Sequence, residues 1–427
     1  MRRSALLLTA LALPATLLLA PPSCRAAGFA APEPGIKAMG LAGAYTAQAD
    51  DPSASFYNPG GLVLIPKAKL TAGLAVWDLN ESQYQGLPPG IGAGTTGQQR
   101  RGFYLPAHLY IRLPLHPALA LGLGVNSPYA LKTHWDNSGN GFPGRDVGLR
   151  SKLDTYDINP NLSLKVGNGC GIGAGLVYRV SDLSVGRHIA SFNPIAGRPQ
   201  DVANLDVRSG YNTAFGWDAG ILDKIGQHFT WGLTYRGKIR VDYTGSGRLT
   251  QILTGDSQFD ALTAATLPLD TDLAIASSIT FPATASLGVA VSPNRKLVFE
   301  ADVVRTQWSQ FKGLAVTFPS NSLFNQTVQG PYKDANSYRV GARLGPPKGL
   351  QLRFGYALEK TPQPEASISP FLPDADRNVV SLGFGLDWLD IGIQAVLPKL
   401  RTTRLSPDNL NGNYKGNSFL LGISVTK

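Results

Sequence analysis

The most regular feature of the chain is alternation at period two. Across Trp231 to Tyr243, the residues Trp231, Leu233, Tyr235, Ile239, Val241 and Tyr243 fall on one side of an extended segment. Thr234, Arg236, Lys238, Arg240 and Asp242 fall on the other. Tyr338, Val340, Ala342 and Leu344 oppose Arg339 and Arg343 in the same way, and Leu350, Leu352, Phe354, Tyr356 and Leu358 oppose Gln351 and Arg353. Near the C-terminus Phe419, Leu421, Ile423 and Val425 repeat it. A buried helix needs apolar residues three and four apart, a spacing these segments do not sustain, so the pattern predicts strands with one oily and one wet face.

Read along the chain, the rhythm gives about 14 strands, near 68–78, 103–113, 118–126, 153–166, 170–185, 208–221, 228–243, 282–292, 296–308, 335–345, 349–359, 377–388, 389–400 and 414–426. Short links such as Ser292-Pro293-Asn294-Arg295 and Pro346-Pro347-Lys348 alternate with long ones near 79–102, 127–152, 186–207, 244–281, 309–334, 360–376 and 401–413. Tight turns at one end and long loops at the other, with an even strand count, are what an outer-membrane barrel needs to leave both termini in the periplasm. The expected fold class is therefore all-β, a 14-stranded antiparallel transmembrane β-barrel, occupying residues 68–427. Residues 27–67 do not alternate and are rich in Gly, Ala and Pro, with a short helix expected around Ile36 to Gln48. They are read as a plug or hatch inside the lumen, with a free periplasmic tail as the alternative.

The N-terminus changes the picture of where the chain works. Met1-Arg2-Arg3, an apolar run from Ala5 to Ala20 and the small-residue stretch Ser23-Cys24-Arg25-Ala26-Ala27 have the make-up of a signal peptide, with cleavage expected after Ala26. No later apolar stretch reaches the 18 residues of a spanning helix. Loss of residues 1–26 removes three arginines and takes the formal charge from +10 to +7, leaving Cys170 as the single cysteine, so no internal disulfide is expected. The remaining basic excess is spread along the chain, and an exported protein seldom meets nucleic acid; no nucleic-acid partner is expected.

Candidate chemistry is sparse. His108, His116, His134, His188 and His228 are scattered, with neither HExxH spacing nor a Cys/His cluster, so no metal and no cofactor are expected. No GxSxG elbow supports a nucleophilic serine. Gly122-Leu123-Gly124 and Gly171-Ile172-Gly173-Ala174-Gly175 open no helix and read as strand glycines where neighbours crowd, not as phosphate loops. The classes left open are a channel for hydrophobic small molecules, a general porin or adhesin, and a barrel lipid hydrolase.

Five ordered segments narrow these. Ala27-Gly28-Phe29 followed by Gly35 to Tyr45, Asp50-Asp51-Pro52-Ser53 and Asn58-Pro59-Gly60-Gly61-Leu62 resembles the start of the long-chain fatty acid transporter (FadL) family of outer-membrane proteins. Val125-Asn126-Ser127-Pro128-Tyr129-Ala130-Leu131, Gly232-Leu233-Thr234-Tyr235-Arg236-Gly237-Lys238-Ile239, Trp308-Ser309-Gln310-Phe311 and Pro373-Asp374-Ala375-Asp376-Arg377 are similar to family segments in the same order. The resemblance implies a 14-stranded barrel, an N-terminal hatch inside the lumen, and uptake of fatty acids or aromatic hydrocarbons by capture and sideways release.

On that basis Phe29 is expected to be linked to ligand, and Asn58, Pro59 and Gly60 to shape the hatch. Ser127, Pro128, Tyr129 and Ala130 are expected to border a lateral gap, because Pro128 cannot donate to the ladder and the family has a kinked third strand. Lys333, Arg339 and Arg343 are candidate partners for a carboxylate head group, with Glu300 and Asp302 as competing acids. The family's Asn-Pro-Ala is Asn58-Pro59-Gly60 here, which predicts a looser backbone at that point. The chain ends Ser424-Val425-Thr426-Lys427 and lacks the family's terminal aromatic residue, so Phe419 is expected to meet the barrel-assembly machinery instead. The other expected partners are a hydrophobic small-molecule substrate and outer-membrane lipid and lipopolysaccharide, with the protein a monomer.

Overall fold

The computed structural model of the chain describes residues 28–31, 34–79, 82–138, 141–330 and 332–427. The expected signal peptide and its cleavage site lie outside the described residues. Fourteen strands form the wall. They are β1 (Lys69–Leu79), β2 (Gly102–Tyr104 and Ala107–His116), β3 (Leu119–Asn126 and Ala130–His134), β4 (Arg150–Val166), β5 (Cys170–Asn193), β6 (Arg198–Ile225) and β7 (Phe229–Arg236 and Ile239–Gln251). They continue as β8 (Asp272–Phe281 and Thr284–Asn294), β9 (Leu297–Thr306 and Gly313–Thr317), β10 (Gln326–Gln329 and Ala335–Leu344), β11 (Gln351–Glu359), β12 (Arg377–Gly385), β13 (Leu389–Pro398) and β14 (Ser418–Thr426). Neighbours pair antiparallel, and β14 returns to β1, with Thr426 opposite Thr71, to close the cylinder.

Every segment expected as a strand is one, but β3 to β10 run further on the long-loop side than alternation indicates. The stretch 186–207, expected as a loop, is instead the continuation of β5 and β6, closed by a tight turn at Pro194 to Gly197. A helix, Ser257–Thr266, sits in the β7–β8 loop, where Asp256 caps it by accepting the N–H groups of Gln258 and Phe259 at 3.0 and 3.1 Å. The segment Trp231 to Tyr243 does not keep one face throughout. Leu233 and Tyr235 point outward, whereas Ile239, Val241 and Tyr243 are buried in the lumen, because the strand breaks at Gly237-Lys238 and changes phase.

The exterior carries exposed apolar side chains such as Leu74, Leu162, Leu233, Phe354 and Leu421, which only a lipid phase would cover. The interior has two levels. Toward the short-turn end, β4 turns Asp157, Asn159, Asn161 and Ser163 inward. Toward the long loops the lining becomes apolar, with Leu205, Val207, Val241 and Ile275 among it. The lumen is thus wet-faced only in part, against the uniformly polar interior that alternation predicts.

Residues from Pro34 to Pro66 lie inside the barrel, with a one-turn helix at Ile36–Met39, another at Ala54–Tyr57 and a 3-10 turn at Pro59–Leu64. The helix expected through Gln48 stops at Met39, since Ala42 and Gly43 take left-handed backbone angles (φ 50° and 76°). This hatch lies directly on inward-facing glycines of the wall. A Cβ at Gly173 would strike Pro59, at Gly232 the carbonyl of Thr46, at Gly355 the backbone of Leu41, and at Gly383 the Cα of Gly40. Strand glycines at this level are what admit a plug packed backbone against backbone.

Candidate functional site

Phe29 lies in a cage of aromatic rings from three different parts of the wall. Its ring centroid is 4.8 Å from Trp308, 5.3 Å from Phe311, 5.8 Å from Tyr129 and 5.9 Å from Phe281, mostly edge to face. Trp308 and Phe311 reach it because β9 is interrupted by a short 3-10 turn, Trp308–Gln310, that turns both rings inward. Phe281 stands just before Pro282, where β8 breaks, and the Tyr129 hydroxyl donates to the Pro282 carbonyl at 3.4 Å. Burying a side chain of this size contributes roughly 1.5–3 kcal/mol.

Beneath the cage, Arg179 donates through Nε and Nη2 to the two carboxylate oxygens of Asp157, both at 2.7 Å, with both residues buried. Its guanidinium also lies 4.8 Å from the Tyr129 ring centroid and 4.5 Å from that of Phe281.

The tail that carries Phe29 is also part of the wall. β3 is broken at Ser127-Pro128-Tyr129, and among the described residues its outer piece, Ala130–His134, forms a continuous ladder only with β4. Among the described residues, the ladder between β2 and β3 ends at Leu109 opposite Val125 and resumes only at the isolated bridge of Gln99 with Trp135. The exposed backbone groups of the kink are taken up from inside. The Ala130 N–H donates to the Phe29 carbonyl at 3.1 Å, and the Ala31 N–H donates to the Pro128 carbonyl at 2.9 Å. The Tyr129 N–H goes to the Thr155 hydroxyl at 3.0 Å. A cavity of about 170 Å³ touches Phe29, Ala130, Lys132 and Asp374 at this seam.

Gly28 anchors the tail. Its N–H donates to Asp374 at 2.9 Å, and it has a left-handed φ of 67° with the Trp308 ring where a Cβ would stand, so both the turn and the close approach require glycine. Burial pushes the Asp374 carboxyl above the usual carboxylate range, with the charge of Arg377 opposing in part.

The hatch turn is fixed by Asn58. Its Nδ2 donates to the carbonyls of Thr46 and Ile221, each at 2.9 Å, and its Oδ1 accepts the N–H of Gly60 at 3.1 Å. Gly60 is not loose, contrary to expectation: a Cβ there would come 2.5 Å from the Gly171 carbonyl oxygen, so the family's alanine has no room in this chain. Glu300 and Asp302, expected to neutralise lumen cations, instead accept the backbone N–H groups of Tyr45, Thr46, Ala47 and Gln48.

Of the candidate carboxylate partners, Arg339 is bonded to Glu359 at 3.1 Å and Arg343 to Asp50 of the hatch at 2.8 Å, while Lys333 is exposed among the outer loops. The three are not brought together. Sequence reasoning missed the cage itself, Asp374 as the anchor of Gly28, and the Arg179–Asp157 pair. Three of the quoted segments supply most of these, but their convergence depends on register between distant strands. Among the described residues no group of three or more His, Cys, Asp or Glu side chains is placed to hold a metal.

The model of one family, described as outer membrane protein transport protein (OMPP1/FadL/TodX), matches residues 17–426. The chain belongs to this family. It is 23% identical over 385 residues to the long-chain fatty acid transport protein of Salmonella typhi, covering 84% of this chain and 83% of that one. It is 25% identical over 414 residues to outer membrane protein P1 of Haemophilus influenzae, covering 86% and 84%. Among solved structures, a Pseudomonas aeruginosa FadL homologue superposes with a TM-score of 0.79 at 23% identity, covering 94% of this chain and 99% of that one. The Pseudomonas putida toluene transporter TodX gives 0.69 at 17%, covering 94% and 100%. Like other members of the FadL family, the protein is an outer-membrane barrel of the class that transports hydrophobic compounds.

Proposed function

We propose that the protein takes up hydrophobic small molecules, long-chain fatty acids or aromatic hydrocarbons, by capturing them in the apolar outer lumen and releasing them sideways between β2 and β3. The observation that carries this reading is the double role of one short tail, in which Phe29 fills the aromatic cage while its neighbouring backbone takes up the free backbone groups of the β3 kink beside the β2–β3 seam. A hydrophobic ligand that takes the place of the Phe29 ring withdraws the partners of Pro128 and Ala130 in the same step. Capture and opening are then a single event, driven by apolar area moved out of water, at about 0.8 kcal/mol per buried methylene.

Names of relatives support both cargo classes, since some are fatty acid transport proteins and the structural neighbours include the toluene transporters TodX and TbuX. For a cargo with a carboxylate head, Arg339 is the partner we infer. It lines a second cavity of about 150 Å³ that also touches Ala30 and Tyr129, and a cargo carboxylate there would exchange with Glu359. Phe419 points outward on β14, where assembly machinery would read it, and the protein is proposed to act as a monomer among lipid and lipopolysaccharide.

The test is Ala130→Trp, which fills the seam from the wall. Cells carrying it should insert the barrel normally and lose uptake of labelled dodecanoate and toluene. Undiminished uptake would reject the lateral route. A general porin reading is separated by liposome swelling, which the unaltered protein should not support for small sugars.

A further inference from the structure

Arg112 is a cation that the uptake reading does not use. It faces inward from β2 and is only 3% exposed. Its Nε donates to the Leu62 carbonyl at 3.0 Å, and its Nη1 is buried with no partner among the described residues. A guanidinium keeps its charge inside a protein, and a buried charge with no counter-charge is strongly unfavourable, so the position calls for an anion that the chain does not supply.

The surroundings are built for one. Arg112 lines a cavity of about 890 Å³ at the short-turn mouth of the barrel, together with Lys165 at the end of β4 and Lys224 near the end of β6. Among the described residues, no acidic side chain lines it. The three cations stand on alternate strands, β2, β4 and β6, and at Gly171 on the strand between two of them the hatch backbone at Gly60 fills the space, so the hatch forms the floor of the cavity. One flank of the cavity is apolar, formed by Val63 and Ile65 of the hatch and by Leu115.

We propose that this periplasmic cavity binds an anionic amphiphile, its carboxylate or phosphate head on Arg112, Lys165 and Lys224 and its alkyl chain along Val63, Ile65 and Leu115. A released fatty carboxylate and a phospholipid head group from the inner leaflet share this chemistry. The site is distinct from the seam and is tested by binding, so it stands or falls separately from lateral release. Because the same guanidinium holds Leu62, an anion seated there also bears on the last turn of the hatch.

The experiment uses the full, delipidated protein in non-ionic detergent with a nitroxide on Cys170, which adjoins Gly169 of the cavity; Cys24 is absent through processing or is replaced. Arg179 of the cage stands nine residues further along β5, about 30 Å away at 3.3 Å per residue, so the label favours ligand at the mouth. Carboxyl-labelled dodecanoate and dodecyl phosphate are followed by paramagnetic broadening of their head-group resonances.

Both should broaden, the tighter binder indicating which source the site serves, and dodecanol should displace neither. Arg112→Gln and the double variant Lys165→Gln/Lys224→Gln should each weaken binding at least tenfold. The lysines are exposed, so the double variant carries the test if Arg112→Gln does not fold. Equal broadening in the folded variants, displacement by dodecanol, or displacement by inorganic phosphate as readily as by dodecyl phosphate would overturn the proposal.

Discussion

Ala30 of the hatch tail lies directly opposite Tyr129 of the wall, bridged antiparallel by the bonds on either side of the pair. In this non-hydrogen-bonded arrangement opposed Cα atoms stand about 4.5 Å apart, within the range that a disulfide spans. A chain carrying Ala30→Cys and Tyr129→Cys in a Cys170→Ala background should therefore cross-link on oxidation. Uptake of labelled dodecanoate should fall to background in the oxidised cells and return with reductant. Equal uptake in both states would show that the tail need not leave.

Asn58→Ala removes three hydrogen bonds that tie two hatch segments to each other and to β6. Leaving the buried carbonyls of Thr46 and Ile221 without that partner should lower stability by on the order of 2 kcal/mol. The midpoint of the heat-induced mobility shift in electrophoresis should drop, and liposomes holding the variant should begin to swell in small sugars.

Gly60→Ala introduces the residue that the family resemblance implies at this point of the hatch, yet here it should harm. The added methyl meets the Gly171 carbonyl and the backbone of β6, a clash of the overpacking kind that costs about 1–3 kcal/mol. The same unfolding midpoint measures it, and an unchanged value would mean the wall gives way at Gly171.

Asp50 gives a pH prediction with a definite sign. Partial burial would raise its carboxyl, but Lys37 at 2.5 Å and Arg343 at 2.8 Å outweigh this and hold it well below the usual carboxylate range. A folded pKa below the unfolded one, near 3.9, gives stability that is complete above the unfolded value and is lost as pH falls through the folded value. The unaltered protein should thus exceed Asp50→Asn in unfolding temperature by a constant margin at neutral and mildly acidic pH. The margin should narrow only below about pH 4.

The wall was legible in the sequence because lipid imposes the same rule on every spanning strand, as the faces of Tyr338 to Leu344 and Leu350 to Tyr356 show. The rule lapses where the strands rise past the lipid. There Val241 and Tyr243 turn inward while Arg240 and Asp242 face out, which in the linear pattern looks identical to an oily exterior. The stretch 186–207 was lost for the same reason. Pro128 marked the break in β3 from its chemistry alone, but the cage was not readable. Phe29, Tyr129, Phe281 and Trp308 are far apart in sequence, and only the closing of the barrel makes them neighbours.

The glycine belt under the hatch has a mechanical consequence. Main chain seated on main chain has no rotamers to yield, so load applied at the N-terminus cannot be absorbed by side chains sliding past one another. Under traction the tail at Gly28 to Ala31, held by a few hydrogen bonds and one aromatic ring, should peel away first, at low force and reversibly. The segment from Ile36 to Leu64 should then resist as though it were one more course of the cylinder.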